Sequence, residues 1–124
     1  MMSFYRENEY VTFHIQEDIL HVVYKSNIAI DLPIAIQIVE DRLAVQEGLP
    51  YKVLCDIRGV SQINKAARDY FAIEGSVLVK AIAFLVESTV TKALSEFYLQ
   101  INSPPVPSKS FSELEAAKLY LKGF

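Results

Sequence analysis

The chain lacks the marks of several protein classes. Its 124 residues contain no tryptophan and one cysteine, Cys55. A lone cysteine cannot form a disulfide within the chain, and it favours a reducing compartment. The longest apolar run, 77–86, is interrupted by Lys80 and has about half the roughly 20 residues that a membrane span requires. Because Arg6 and Glu7 stand where a signal peptide is apolar, we predict a cytoplasmic protein with no membrane span.

Positive charge is also scarce. Twelve Lys and Arg face fifteen Asp and Glu, which gives a formal net charge of −3. Proteins that bind DNA or RNA need clustered Lys and Arg to neutralise phosphates, and this chain has no such cluster. We therefore predict no nucleic-acid partner. Hydrophobic residues make up 52% of the sequence, enough for the core of a single domain that spans residues 1–124.

Common catalytic and cofactor motifs are missing as well. The sequence has no glycine-rich phosphate loop, no dinucleotide fingerprint, no paired-cysteine metal pattern and no His-Glu-x-x-His motif. Only His14 and His21 could act as an imidazole base, and neither lies near a predicted nucleophile. We predict that the protein is not an enzyme, that it has no catalytic residues and that it needs no cofactor.

The N-terminal third predicts a β-hairpin. Apolar residues alternate with polar ones before and after a two-residue turn at Glu17 and Asp18. This turn gives three apolar pairs on one face: Ile15 with Leu20, Phe13 with Val22, and Val11 with Tyr24.

The same register places His14 opposite His21 on the outer face of the hairpin, with Cβ atoms about 5 Å apart. One interpretation is half of a metal site or a pair of coupled titrations. The other is two solvated strand residues, which we favour because zinc usually has three or four protein ligands.

Strands and helices alternate in the rest of the chain. The pattern predicts an extended stretch at 27–30, strands at 51–57 and 77–86, and a stiff link at 102–107. It also predicts helices at 31–47, at 65–74 and after 88, with Asp31, Asn64 and Ser88 as their N-caps, and a last helix with a capping box of Ser112 and Glu115. The third helix should bury Val90, Ala93, Leu94, Phe97, Tyr98 and Ile101. The fold class is α/β: a mixed sheet with an N-terminal antiparallel hairpin, central parallel strands and about four helices.

The best site candidate follows the strand at 51–57. Ligands of open α/β sheets bind beyond the carboxyl ends of parallel strands, and a helix N-terminus favours an anion. The candidate residues are Asp56, Arg58, Gly59, Ser61, Asn64 and Lys65. Two interpretations remain open: a small anionic-ligand site, or an ion pair that ends a strand followed by an ordinary helix cap.

Self-association is a further expectation. Both apolar strands need cover on two faces, and four helices are too few to guarantee it. We predict that an open apolar sheet face is buried by a second copy of the chain, as a homodimer.

The segment from Val53 to Asn64, Val-Leu-Cys-Asp-Ile-Arg-Gly-Val-Ser-Gln-Ile-Asn, resembles the STAS family, the anti-sigma-factor antagonist and sulfate-transporter domain. Members of that family have a buried strand, a short loop with Gly-Val, and Asp-Ser-Ser-Gly at a helix start. The order of elements is similar over nearly the whole chain. Residues 111–121 resemble the closing helix of small uncharacterised bacterial STAS-like proteins.

The chain departs from the family at one position. In the antagonists, a kinase phosphorylates a serine at the helix start, and here Asn64-Lys65-Ala66-Ala67 stands in place of Asp-Ser-Ser-Gly. The resemblance therefore implies the fold and a protein-binding surface without the phosphorylated serine, and the role does not transfer to Ser61. We predict a non-catalytic interaction or regulatory module that binds a protein partner, or itself, through residues 58–70. The alternative is a carrier or sensor of a small anionic or amphipathic ligand.

Overall fold

The computed structural model describes residues 4–124. In this part of the chain there are eight strands and four α-helices. The strands are β1 (Phe4–Glu7), β2 (Val11–Gln16), β3 (Ile19–Tyr24), β4 (Ile28–Ile30), β5 (Tyr51–Asp56), β6 (Val60–Ile63), β7 (Val79–Leu85) and β8 (Ser108–Phe111). The helices are α1 (Leu32–Gln46), α2 (Lys65–Ile73), α3 (Thr89–Phe97) and α4 (Leu114–Lys122). None of these helices has the length and apolar character of a membrane span.

Six strands form one mixed sheet in the order β1-β2-β3-β5-β7-β8. The first three strands are antiparallel to one another, and β5, β7 and β8 add in parallel. The hairpin register is confirmed, because Ile15 pairs with Leu20, and His14 pairs with His21. Strand β5 lies between β3 and β7 at the centre of the sheet, as the apolar run predicts. The predicted α/β fold class is therefore confirmed.

Helices cover both faces of the central strands. On one face, Phe13, Val22 and Val53 pack with Ile38 of α1, while on the other Leu54 and Ala83 pack with Ala117 and Leu121 of α4. The expected open face on these strands is therefore wrong, because residues on both sides of β5 and β7 are buried. The homodimer stays a prediction, but it needs another surface.

The sequence does not predict three of the short strands, β1, β6 and β8. Strand β6 occupies residues expected to be a loop, and it forms a separate two-stranded parallel sheet with β4, which lies in the predicted extended stretch. Strand β8 adds to the edge of the main sheet directly after the predicted stiff link, with Ser108 opposite Ile82. Strand β1 adds to the other edge by pairing with β2.

Two local predictions for the later helices are wrong. The capping box of Ser112 and Glu115 does not form, because Glu113 occupies the N-cap position of α4 and makes no side-chain cap bond. Helix α3 and its last turn bury Thr91, Ser95 and Tyr98, so within the predicted apolar row only Tyr98 is buried, while Leu94 is half-buried and the other four residues are exposed.

The physical reason for the orientation of α3 lies at its two ends. Thr91 forms a reciprocal capping box with Ser88, and Ser95 Oγ accepts a hydrogen bond from Ser110 Oγ of β8 at 2.9 Å. These bonds hold the polar row against the sheet. The apolar residues Val90, Phe97 and Ile101 consequently face outward.

Candidate functional site

The end of β5 holds a paired carboxylate and guanidinium. Asp56 is buried, and its two oxygens accept from Arg58 Nε at 2.9 Å and Arg58 Nη2 at 2.7 Å. Asp56 Oδ1 also accepts from the Arg58 backbone N–H at 3.2 Å. The hydrogen bonds that Arg58 donates to the Asp56 carboxylate raise the pKa of Arg58. This fork fixes the guanidinium, so its charge is largely satisfied within the chain.

Gly59 allows the chain to turn tightly after this pair. A Cβ atom at this position would lie 2.2 Å from the backbone oxygen of Lys25. The Gly59 carbonyl also accepts from the N–H of Ile28 at 3.0 Å. Only glycine permits this approach between the turn and the segment that leads into β4.

Helix α2 begins at Lys65, after the four residues of β6 and the N-cap residue Asn64. Asn64 Oδ1 caps the helix by accepting from the N–H of Ala67 at 3.0 Å, as predicted. Lys65 pairs with Asp69 one turn along the helix, at 2.7 Å. Ser61 Oγ donates to the carbonyl of Ile28 at 3.1 Å. The structure thus places all six candidate residues along one segment, from the end of β5 through β6 to the start of α2. Most of their polar groups are engaged, but the Asp56–Arg58 pair makes no hydrogen bond to Ser61, Asn64 or Lys65.

A shallow groove of about 330 Å³ lies beside this segment. Asp31 and Asn64, the N-caps of α1 and α2, line it together with Gln62 and three apolar residues. No cationic side chain is among these lining residues. An anion in this groove would meet mainly the backbone N–H groups of two helix starts, and the cap side chains Asp31 and Asn64 already accept hydrogen bonds there.

The outer faces of α2 and α3 meet next to the candidate residues. The Arg68 guanidinium lies 4.8 Å from the centre of the Phe97 ring, and Asn102 Nδ2 donates to Asp69 Oδ1 at 2.8 Å. Phe97 is 47% exposed and Ile101 is 61% exposed. We call the exposed area formed by Arg58, Lys65, Asp69, Val90, Phe97 and Ile101 the α2–α3 surface.

A partly open cavity of about 100 Å³ lies beneath α1, α2 and α3. Its walls are mostly aliphatic and aromatic side chains from both layers, among them Val22, Val53, Phe71 and Phe84. No pattern in the sequence points to this cavity. Packing voids depend on how side chains from distant segments meet, and no local pattern encodes that.

One wall of the cavity is a buried arginine. Arg42 is 5% exposed and donates to Gln46 Oε1 and to the Gly75 carbonyl, the latter at 3.2 Å. Burial lowers the pKa of Arg42. A sequence signal existed, because Arg42 lies four residues after Ile38 on the buried face of α1.

The other ionisable groups at the cavity are uncharged at neutral pH. Burial raises the pKa of Cys55 to about 12, and it also raises the pKa values of Tyr24 and Tyr98. Cys55 is therefore held as a thiol, which is a poor nucleophile.

The two histidines stack, but they are not both solvated. Their ring centroids are 4.4 Å apart and the rings are 12° from parallel. His21 is 5% exposed, and its Nε2 has no hydrogen-bond partner among the described residues. The interpretation of solvated residues is wrong for His21. This residue pairs with Leu54 on the neighbouring strand, and helix α4 covers that face of the sheet. Residues 4–124 contain no cluster of three or more His, Cys, Asp or Glu suited to a metal.

Comparison with known proteins gives a family. The model of a family described as Domain of unknown function (DUF7793) matches residues 13–124, and the chain belongs to that family. No curated protein matches it.

Two solved structures show the same fold. An uncharacterized protein of the DUF3478 family with a SpoIIAA-like fold, from Shewanella loihica PV-4, has a TM-score of 0.65 at 12% identity, with 94% of this chain and 98% of that chain covered. An anti-sigma factor antagonist from Mycobacterium paratuberculosis has a TM-score of 0.62 at 14% identity, with 98% and 93% covered. The predicted STAS-like fold is confirmed.

Proposed function

We propose that the chain is a non-catalytic regulatory module that binds a folded protein partner through the α2–α3 surface. The observation that carries this proposal is the outward apolar row of α3 beside the candidate residues at the start of α2. Val90, Phe97 and Ile101 are each 47% exposed or more, although each lies on a well-formed helix or its last turn. Apolar residues so arranged are typical of a surface that a partner covers.

The chemistry around this row suits a protein interface. Aromatic and arginine side chains carry much of the binding energy in such interfaces, and Phe97 lies against Arg68 here. The ion pair Lys65–Asp69 borders this row, because Asp69 also accepts from Asn102 next to Ile101, and Arg58 lies near Glu87 just before α3. An apolar centre with a charged rim is the usual anatomy of a protein–protein contact.

The fold comparison supports the same class of function. One structural relative is described as an anti-sigma factor antagonist, a protein that acts on another regulatory protein. We carry over only the coarse function, a regulatory interaction, because the identity is 14%.

We further propose that partner binding is not switched by phosphorylation at the start of α2. Lys65 and Ala66 occupy its first turn, and neither has a hydroxyl group. Mass spectrometry of the protein isolated from growing cells should find no phosphate on residues 61–67, where Ser61 is the one hydroxyl-bearing residue. A stoichiometric phosphate on Ser61 would contradict the proposal that the switch is absent from this region.

Site-specific photo-cross-linking tests the surface directly. A photoreactive phenylalanine analogue at position 97 should capture one discrete protein in cells. The same analogue at Leu119, which is 73% exposed on α4, serves as the matched control and should not capture it. Arg58→Glu should abolish the cross-link from position 97, because Arg58 lies on the same surface.

Binding of the purified captured protein then decides the proposal. Phe97→Asp should weaken the complex at least about tenfold, whereas Leu119→Asp should leave the affinity unchanged. Capture of a second copy of this chain would identify the homodimer as the complex formed by this surface. Equal capture at positions 97 and 119, or equal affinity of the two aspartate variants, would rule the surface out.

A small anionic ligand at Asp56, Arg58 and Lys65 is the alternative function. It has less support, because Arg58 and Lys65 each pair with a carboxylate of this chain. A ligand that competes for them must first break a bond at 2.7 Å.

A further inference from the structure

The partly open cavity beneath α1, α2 and α3 and the buried Arg42 form a combination that the proposed protein interface does not use. The cavity has about 100 Å³ of space, and its lining is almost entirely apolar. Arg42 is the only lining residue that carries a fixed charge. This guanidinium is 5% exposed, so bulk water does little to solvate it.

The chain supplies no counter-charge to Arg42. No Asp or Glu of residues 4–124 forms an ion pair with it, and the remaining residues, Met1, Met2 and Ser3, have no carboxylate side chain. Its two hydrogen-bond acceptors, Gln46 Oε1 and the Gly75 carbonyl, are both neutral. An arginine has five N–H donors, so these two bonds leave donors available.

A buried unpaired cation is costly, and proteins normally pair it. The neighbouring groups cannot supply the negative charge, because burial raises the pKa values of Cys55 and Tyr24 and so keeps both neutral. Arg42 is therefore a preformed half of an ion pair, next to an apolar space. A carboxylate is a matching partner, because its two oxygens fit the fork of a guanidinium.

We propose that this cavity binds a small apolar carboxylate, an aromatic or short-chain fatty acid, with its carboxylate on Arg42 and its hydrocarbon part among Val22, Val53 and Phe84. This proposal does not depend on the partner-binding surface, which lies on the outer faces of α2 and α3.

The cavity volume limits the size of the occupant. An engineered apolar cavity of about 150 Å³ accommodates benzene, so about 100 Å³ encloses at most one ring or a chain of a few carbons, and the rest of the occupant lies in the open mouth. A phosphate or a nucleotide would place its other oxygens against mostly apolar walls, where the hydroxyls of Tyr24, Ser95 and Tyr98 are the remaining side-chain O–H donors and no second cation lies among the described lining residues. The cavity chemistry therefore selects a monoanion with an apolar body.

The test uses matched pairs of probes on the full chain. Benzoate and hexanoate carry the charge, while benzyl alcohol and hexanol have similar bodies without it. Calorimetry and amide NMR should give dissociation constants of about 0.05–1 mM for the acids, as expected for ligands of this size, and at least tenfold weaker binding for the alcohols. Shifted amide signals should include those of Cys55 and Gly75.

Two variants separate the roles of charge and space. Arg42→Met keeps a chain of similar length and should weaken the acids at least about tenfold while leaving the alcohols unchanged. Leu94→Phe, at a half-buried lining position of α3, should weaken acids and alcohols together because it fills the cavity.

The wild-type chain keeps the proposal testable even if Arg42→Met does not fold. Acids and alcohols that bind the wild-type protein equally would show that Arg42 plays no part. Absence of any acid binding at about 5 mM, where even a weak site of 1 mM would be mostly filled, would overturn the proposal. Either result leaves the cross-linking test of the α2–α3 surface unaffected.

Discussion

Gln46 lies one helical turn after Arg42 on α1, and its Oε1 accepts a hydrogen bond from the Arg42 guanidinium. The same amide donates through Nε2 to the carbonyls of Leu49 and Leu78, at 2.9 Å each. Gln46 is 1% exposed. One buried side chain thus holds the arginine, the turn after α1 and the segment that leads into β7.

Replacing Gln46 by leucine should lower the free energy of unfolding by about 2–4 kcal/mol, because it leaves several buried polar groups without a partner. Urea denaturation of both proteins measures the difference. Gln37→Leu is the matched control, since Gln37 is exposed on the same helix and bonds only to Asp41. A loss at position 46 no larger than at position 37 would show that this network does not stabilise the fold.

Replacing Gly59 by alanine should lower the free energy of unfolding by about 2–3 kcal/mol, the cost of forcing an added methyl group into packed structure. The new Cβ would lie 2.2 Å from the backbone oxygen of Lys25. Neither atom can rotate away as the end of a flexible side chain could, so the backbone itself would have to shift. Thermal unfolding monitored by circular dichroism measures the effect.

Gly75→Ala provides the control for Gly59→Ala. Its added Cβ would meet atoms of Phe71 at 3.4 Å, which is ordinary contact. We expect a change of less than about 0.5 kcal/mol. Similar stability of the two alanine variants would mean that the turn after β5 relaxes easily.

The two cap predictions from sequence offer another comparison. Asn64 caps α2 with a bond of 3.0 Å to the N–H of Ala67, whereas Ser112 does not cap α4. Asn64→Ala should cost about 1 kcal/mol of stability, and Ser112→Ala less than about 0.5 kcal/mol. Chemical denaturation of the two variants in parallel checks the difference. A larger loss for Ser112→Ala than for Asn64→Ala would show that Ser112 does cap α4 in solution.

Patterns that span a few neighbouring residues predicted the fold well. The hairpin register follows from apolar alternation around Glu17 and Asp18, and the caps Asp31, Asn64 and Ser88 follow from residues that compete for helix N–H groups. The end of β5 is also predictable from neighbouring residues, since an apolar run that stops shortly before a glycine marks the end of a strand.

Features that depend on distant partners were not predictable in this way. Strands β6 and β8 have four residues each, too few for alternation to stand out, and they form only because β4 and β7 offer edges. The inward face of α3 is fixed by the Ser95–Ser110 bond, which joins positions 15 residues apart. The cavity at Arg42 likewise arises from packing between layers.

The stacked pair of histidines should make stability depend on pH. Burial, then the positive charges of His14 and Lys118, lower the pKa of His21 to about 4 from 6.5, while Glu17 acts in the opposite direction. Between these pH values the unfolded chain binds the proton that the folded chain resists. The stability associated with neutral His21 is therefore complete above about pH 6.5 and is lost as the pH falls toward 4.

Replacing His21 by phenylalanine should remove this part of the pH dependence, because a ring without a titratable nitrogen keeps the stack on His14. Relative to the variant, the wild-type protein should lose about 1–2 kcal/mol between pH 7 and pH 4, about half of the full shift because water reaches part of the pair. Denaturant titrations at several pH values measure both proteins, and the difference cancels the carboxylates that they share. Parallel stability curves would show that His21 accepts a proton as readily in the folded chain as in the unfolded one.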